Sequence, residues 1–199
     1  MNLKETWETS RKFITEYTGK EPGTNGDRNT TQYDVDKGST HTYLEAYENC
    51  LNKYKGRPIN ILEIGISGGW SLYMWKQYFD EGSNIVGIDI DPLNLIWKDE
   101  NKETKMIFSD INDYDKVVSE LGDMEFDIII DDGSHTIEDQ YNTYNFLFST
   151  RLKSGGTYII EDFANLETHI THFLQFSPKI VDMRESKGRY DDVLVIFEK

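Results

Sequence analysis

Short apolar runs separated by polar stretches of helical period set the pattern of this chain. The runs are Ile59–Ile64, Ile85–Asp89, Lys105–Phe108, Phe126–Asp131, Thr157–Glu161, Lys179–Met183 and Val193–Phe197, each of strand length and bounded by turn residues. Between them the spacing predicts helices over 70–79, 93–99, 113–121, 136–149 and 165–175. Upstream, Leu3, Trp7, Phe13, Ile14 and Tyr17 fall near helical spacing and predict a short amphipathic helix. Ser39 or Thr40 is placed to cap another helix running to about Tyr54, with Tyr43, Ala46, Tyr47 and Leu51 on one face. Strands alternating with helices imply an α/β fold with a doubly wound, mostly parallel sheet. The tract Gly19–Gly38, rich in Gly, Asn, Thr and Asp, breaks the pattern and reads as a loop. A loop this long within a compact domain is usually functional, and a lid is expected of it. The division expected is therefore an N-terminal helix and lid-like loop over residues 1–38, then one α/β domain over 39–199.

Composition narrows the function classes. At 199 residues and 23.2 kDa, one domain accounts for the chain. A formal net charge of −15 argues against nucleic acid or an anionic membrane as partner, since both call for a basic face. The single cysteine, Cys50, excludes a disulfide within the chain and fits a reducing compartment; it is expected to act as a small buried hydrophobe. Charges interrupt the N-terminus MNLKETWETSRKF, and no apolar run approaches a membrane span. A soluble, cytoplasmic protein is expected.

The stretch INILEIGISGGWSLYMWKQYFDEGSNIVGIDIDP, Ile59 to Pro92, carries the first chemistry. An apolar run meets a glycine turn at Gly65, Gly68 and Gly69, and the next run closes on Asp89 about twenty positions later. An acid at that place can accept hydrogen bonds from ribose hydroxyls, so the unit reads as nucleoside-binding. The glycines are not spaced as G-x-G-x-x-G, and the pyrophosphate fingerprint is absent. S-adenosylmethionine has a ribose and no pyrophosphate. Glu63-x-Gly65, followed by Ser67, Gly68 and Gly69, looks like the first motif of the Rossmann-like methyltransferases. A purely structural strand-turn-helix unit would show the same residues.

The second half supplies polar strand ends. FDIIIDDGSH (Phe126 to His135) is an apolar strand closing on Asp131, Asp132, Gly133, Ser134 and His135, and TYIIED ends in Glu161 and Asp162. Neighbouring parallel strands lie about 4.8 Å apart, which would gather Asp132, Glu161 and Asp162 into one cluster at the ligand-binding edge. Three close carboxylates repel unless protons or a cation intervene, and hard oxygen donors suit Mg²⁺. Solvated strand-end acids or helix caps fit the spacing equally well.

These motifs, with DKGSTHTYLEAYE (Asp36 to Glu48), LEIGISGGWSLYMW, GIDIDP and LKSGGTYIIEDF, resemble the metal-dependent O-methyltransferases that modify sugar hydroxyls of macrolide antibiotics, a family related in motif to the cephalosporin hydroxylases. The resemblance spans about Asp34 to Asn165. It implies a Rossmann-like methyltransferase fold of seven strands, the last antiparallel, with S-adenosyl-L-methionine and Mg²⁺ as cofactors. By position it implies Asp132, Glu161 and Asp162 as Mg²⁺ ligands and His135 as general base. The cofactor would lie against Glu63, Gly65, Ser67, Gly68, Gly69 and Asp89, with Asp110 near the adenine edge and Asp131 in a supporting part. The implied partner is a small-molecule acceptor offering a vicinal diol or sugar hydroxyl, and a homo-oligomer is compatible with it.

Other polar residues carry weaker signals. His41 suits a cofactor or substrate contact and a surface position about equally. His169 and His172 could pair on one helical face, but no third ligand accompanies them and an exposed helix is expected. Trp70, Trp75, Tyr43 and Tyr47 are expected mostly in the core, with stacking on the adenine a minority role. Two other functions remain open: a metal-dependent methyltransferase of a catechol-like phenol, and a cofactor-binding module without catalysis. The glycine spacing disfavours a nicotinamide-dependent oxidoreductase.

Overall fold

The apolar runs assemble into a seven-stranded sheet: β1 Asn60–Ile64, β2 Asn84–Asp89, β3 Thr104–Phe108, β4 Phe126–Asp131, β5 Leu152–Ile160, β6 Lys179–Asp182 and β7 Val193–Glu198. The computed structural model describes residues 1–23 and 33–199. Strand order is β3-β2-β1-β4-β5-β7-β6; β1 to β5 pair in parallel, and β7 runs antiparallel to both β5 and β6. The expected doubly wound sheet with an antiparallel last strand is therefore the fold observed. The chain fills one side of β1 with β2 and β3, then returns to lay β4 on the other side. Such a reversal leaves a crevice beyond the carboxyl ends of β1 and β4.

Each central strand is apolar on both faces because both are covered. Ile61, Ile85, Ile128 and Ile159 enter one core with α1 Leu3–Thr18, α3 Leu44–Leu51 and α4 Trp70–Tyr78. The alternate residues Leu62, Val86, Ile129 and Tyr158 enter the other with α5 Tyr114–Leu121 and α6 Ile137–Thr150. Each such buried side chain contributes about 1.5–3 kcal/mol. α1 begins on a capping box between Asn2 and Glu5 and ends at left-handed Gly19. Its ring of Phe13 stacks on Tyr73 of α4 at 4.3 Å, and Leu3 N donates to Glu48 Oε2 of α3 at 2.5 Å.

Three expected helices differ. Over 93–99 only a short 3₁₀ turn, Pro92–Asn94, forms. The chain then spends its amides elsewhere: Ile96 N and Trp97 N both donate to Gly68 O, at 3.2 and 2.9 Å, and Asp99 caps the following turn through Asn101 N and Thr104 N. The helix expected from Ser39 or Thr40 to Tyr54 is in two pieces, α2 Asp36–Ser39 and α3, with a 3₁₀ turn at Asn52–Tyr54. Between them Thr42 N bonds to Asp192 Oδ1 instead of continuing a helix. The stretch 165–175 divides into α7 Leu166–His169 and two 3₁₀ turns. Residues 24–32 of the expected lid lie outside the described residues. At the end of that tract, Val35 and Lys37 are buried. A last short helix, α8 Arg184–Lys187, precedes β7.

Candidate active site

The glycine turn after β1 is shaped by how closely β1 and β4 approach. Gly65 has φ +80°, and a Cβ there would fall 1.9 Å from the backbone oxygen of Asp132; no side chain fits. Asp89, at the end of β2, accepts from Ile66 N (2.9 Å) and Ser67 N (2.8 Å) through Oδ2 and from Asp91 N (2.9 Å) through Oδ1. The acid picked out for ribose thus also ties down the turn. Gly69, at φ +84°, starts α4.

β4 and β5 are neighbours, as the cluster requires, with Glu161 N donating to Asp131 O at 2.9 Å. The acids at their ends fall into two groups that share Asp132. Asp132, His135 and Asp162 each bring a ligand atom within 4.8 Å of the others, as do Glu63, Asp132 and Glu161. The first group is partly open, with the side chains of Asp132 and Asp162 exposed by 20% and 15%. The second surrounds the buried ammonium of Lys37, which donates to Asp132 Oδ2 at 2.9 Å and Glu161 Oε1 at 2.5 Å. Glu63 Oε1 lies 3.0 Å from the same nitrogen as an ion pair.

A ring of donors fixes the acids. Tyr47 donates to Glu161 Oε1 at 2.5 Å, Tyr43 to Asp162 Oδ1 at 2.6 Å and Trp75 Nε1 to Glu63 Oε2 at 3.0 Å. Gln140 Nε2 holds the backbone oxygen of Glu161 at 3.2 Å. His41 lies between Asp192 and Asp162 at 3.3 and 3.4 Å and stacks on Tyr43. His135 and Asp162 both have left-handed backbones, φ 58° and 50°, a conformation Asp and His tolerate better than most residues but which still stores strain at a loop tip.

Burial, then repulsion from Asp132, raises the pKa of Asp162 to about 6, and the same two causes raise Glu161 well above the carboxylate range, with Lys37 pulling it back. Burial acts to lower Lys37, but Asp132, Glu161 and Glu63 outweigh it and hold the ammonium charged. Burial likewise opposes protonation of His41, and Asp192 and Asp162 overcome it, so its pKa is raised. The four shifts are all upward: burial first and then mutual repulsion raise the acids, while the surplus of acids holds Lys37 and His41 protonated against burial, so further positive charge is favoured.

Two adjoining cavities open onto these residues and share Gly65, Asp89 and Gly133. The larger, about 670 Å³, takes in Ser67, Gly68, Asp132, His135 and Asp162. The smaller, about 280 Å³, is walled by Ile64, Ile88, Ile90 and Ile111, with Asp110 at its edge. Glu63, Gly69, Asp131 and Glu161 line neither cavity. Asp131 is buried, accepts from Tyr158 at 3.2 Å and is pushed up to about 7 by burial.

Sequence reasoning placed Trp70, Trp75, Tyr43 and Tyr47 in the core, where all are, but missed that the two tyrosine hydroxyls hold the acids. His41 is buried rather than on the surface. Lys37 and Asp192 were not singled out. A lysine beside Asp36 reads as solvated charge, and only the tertiary fold turns it inward. His169 and His172 join no group of three ligands among the described residues. Cys50 is free and partly buried, its thiol pushed up to about 12 by burial.

The fold is that of a methyltransferase domain. The model of the methyltransferase-domain family matches residues 62–163, and the chain belongs to that family. It is 34% identical over 132 residues to the 8-demethyl-8-(2-methoxy-alpha-L-rhamnosyl)-tetracenomycin-C 3'-O-methyltransferase of Streptomyces olivaceus, covering 63% of this chain and 33% of that protein. It is 34% identical over 144 residues to the L-olivosyl-oleandolide 3-O-methyltransferase of Streptomyces antibioticus, covering 68% and 36%. Its fold is similar to that of the MycE methyltransferase of the mycinamycin biosynthetic pathway, solved in complex with Mg, SAH and mycinamycin VI, with TM-score 0.55, 28% identity and 71% and 39% of the two chains covered. The chain thus spans about a third of the length of the curated relatives it matches. The resemblance read from its motifs is borne out.

Proposed function

We propose that the protein is an S-adenosylmethionine-dependent O-methyltransferase that acts, with a divalent cation such as Mg²⁺, on a hydroxyl of a sugar or sugar-containing small molecule. One observation carries the reading: the glycine turn with Asp89 and the group Asp132, His135 and Asp162 face one continuous cleft. The names of the relatives, sugar O-methyltransferases, support it, as does the MycE complex with Mg and SAH.

The residues fit both cofactors. Among the described residues Asp89 Oδ1 accepts one backbone amide, leaving lone pairs for ribose hydroxyls, and the isoleucine-walled cavity with Asp110 in its lining suits a flat purine. Asp132 and Asp162 each have one oxygen held by a protein donor, and among the described residues no protein donor occupies the other. An all-oxygen set with Glu161 beside it suits a hard cation. When bound, S-adenosylmethionine supplies an electrophilic methyl group and the cation supplies charge that makes an acceptor hydroxyl more acidic.

The chain's own part is alignment and proton removal. Asp89 and the glycine turn would hold the ribose of the cofactor, in the same cavity that Asp132, His135 and Asp162 line. His135, exposed in the larger cavity, takes the acceptor's hydroxyl proton on a ring nitrogen. Tyr43 and Tyr47 hold Asp162 and Glu161 in place while the acceptor enters. The test is transfer from labelled S-adenosylmethionine to a panel of sugars, sugar nucleotides, glycosylated macrolides and phenols. Label in a sugar-bearing acceptor supports the reading. Cofactor binding without transfer to any acceptor contradicts it.

A further inference from the structure

Lys37 is the one buried lysine of the described residues, its side chain 1% exposed. Lysine is almost never so buried unless paired, and here its nitrogen meets three carboxylates at 2.5–3.0 Å. Two of them, Glu63 and Glu161, are 0% and 1% exposed. No other Lys or Arg among the described residues pairs with these three acids. The ammonium therefore sits where three converging carboxylates would otherwise invite a metal ion, and it leaves the open group of Asp132 and Asp162 facing the cavity.

We propose that Lys37 is the resident cation of the acid cluster: it holds Glu63, Asp132 and Glu161 in place when no divalent ion is bound, and its fixed charge beside Asp132 keeps the affinity for that ion low. This rests on the reading of Asp132, Glu161 and Asp162 as the cation-binding acids. The charge count supports both halves. With Lys37 present the inner group carries three acids against one ammonium. Removing it leaves Glu63 and Glu161 buried with neutral donors and no countercharge, which is strongly destabilising. A divalent ion a few ångströms from the ammonium is repelled by it, so a folded variant without the ammonium should bind the ion more tightly. Lys37 is a positioning residue in this account, since its ammonium acts through the three acids it contacts.

The test uses the full chain and two variants, Lys37→Met and Lys37→Met/Glu63→Gln, the second removing one charge of each sign. Melting is followed in chelator and in Mg²⁺, and Mg²⁺ binding is titrated calorimetrically without cofactor. In chelator, Lys37→Met should melt roughly 10 °C or more below wild type, and Mg²⁺ should recover much of the loss while moving wild type little. The double variant should recover part of the loss in chelator, because its charges balance better. Where Lys37→Met is folded in Mg²⁺, it should bind the ion at least about tenfold more tightly than wild type.

A Lys37→Met variant that melts like wild type in chelator overturns the first half. A loss that neither Mg²⁺ nor Glu63→Gln relieves does the same, because a merely structural lysine would behave so. Equal or weaker Mg²⁺ binding by the variant overturns the second half. Wild type that binds no Mg²⁺ at any concentration overturns the metal reading itself, while the comparison in chelator still decides the first half.

Discussion

Replacing Gly65 with alanine should cost far more than the same change four residues later. At φ +80° an alanine pays about 1–2 kcal/mol for the left-handed backbone. Its Cβ would also stand 1.9 Å from Asp132 O and 2.6 Å from Asp132 C. Those are backbone atoms, which no rotamer change removes. Relief requires the ends of β1 and β4 to part, which sacrifices the bond from Asp132 N to Ile64 O, now 2.9 Å. A buried hydrogen bond is worth about 0.5–1.5 kcal/mol, so the two terms together reach about 1.5–3.5 kcal/mol, and any residual crowding adds to that. Gly69→Ala is the internal control: φ is +84°, but the nearest atom is the end of the Leu95 side chain at 2.9 Å, which can move. It should lose only the backbone cost of about 1–2 kcal/mol. Urea unfolding with linear extrapolation measures both. If Gly65→Ala proves no less stable than Gly69→Ala, the close approach of the glycine turn to the acid loop is not what fixes glycine at position 65.

Tyr43→Phe removes the donor to Asp162 Oδ1 and should cost about 1–2 kcal/mol in urea unfolding, with turnover reduced and cofactor affinity kept. Asp89→Ala should weaken S-adenosylmethionine binding in calorimetry by roughly tenfold to a hundredfold, since each charge-assisted bond contributes about 1.5–3 kcal/mol; unchanged affinity would remove Asp89 from the cofactor site. Asp127, far from the acids, tests linkage. Burial would raise it, but Asn60 N, Lys153 and Arg57 bring its pKa below the ordinary value. The unfolded chain then binds the proton more readily, so the stability Asp127 contributes is full above about pH 4 and is lost as pH falls through its lower folded value. Asp127→Asn should flatten the fall in stability below pH 4, and acid titrations that superpose would refute this.

How much of this could be read from the sequence depended on the range of the interactions. Strands were legible because burial on both faces of a sheet demands unbroken apolar runs such as FDIIID, and the observed β4 is Phe126–Asp131. The two strand-end acid motifs were legible because parallel order alone places them at one edge. The stretch 93–99 was not, since its amides bond to Gly68, a partner no local period reveals. Lys37 was invisible for the same reason: its three partners lie on β1, after β4 and after β5. The tyrosines show the halfway case, their rings predicted as core by helical spacing and their hydroxyls assigned only by the fold.

The proposal of metal-assisted methyl transfer is tested most directly by turnover of a sugar-bearing acceptor with labelled S-adenosylmethionine in chelator, after restoring Mg²⁺, and with His135→Ala. The account predicts that chelation abolishes transfer and Mg²⁺ restores it. It also predicts that His135→Ala lowers turnover by about 10²- to 10⁴-fold while cofactor affinity is retained. Full transfer in chelator, or wild-type turnover by His135→Ala, would contradict it.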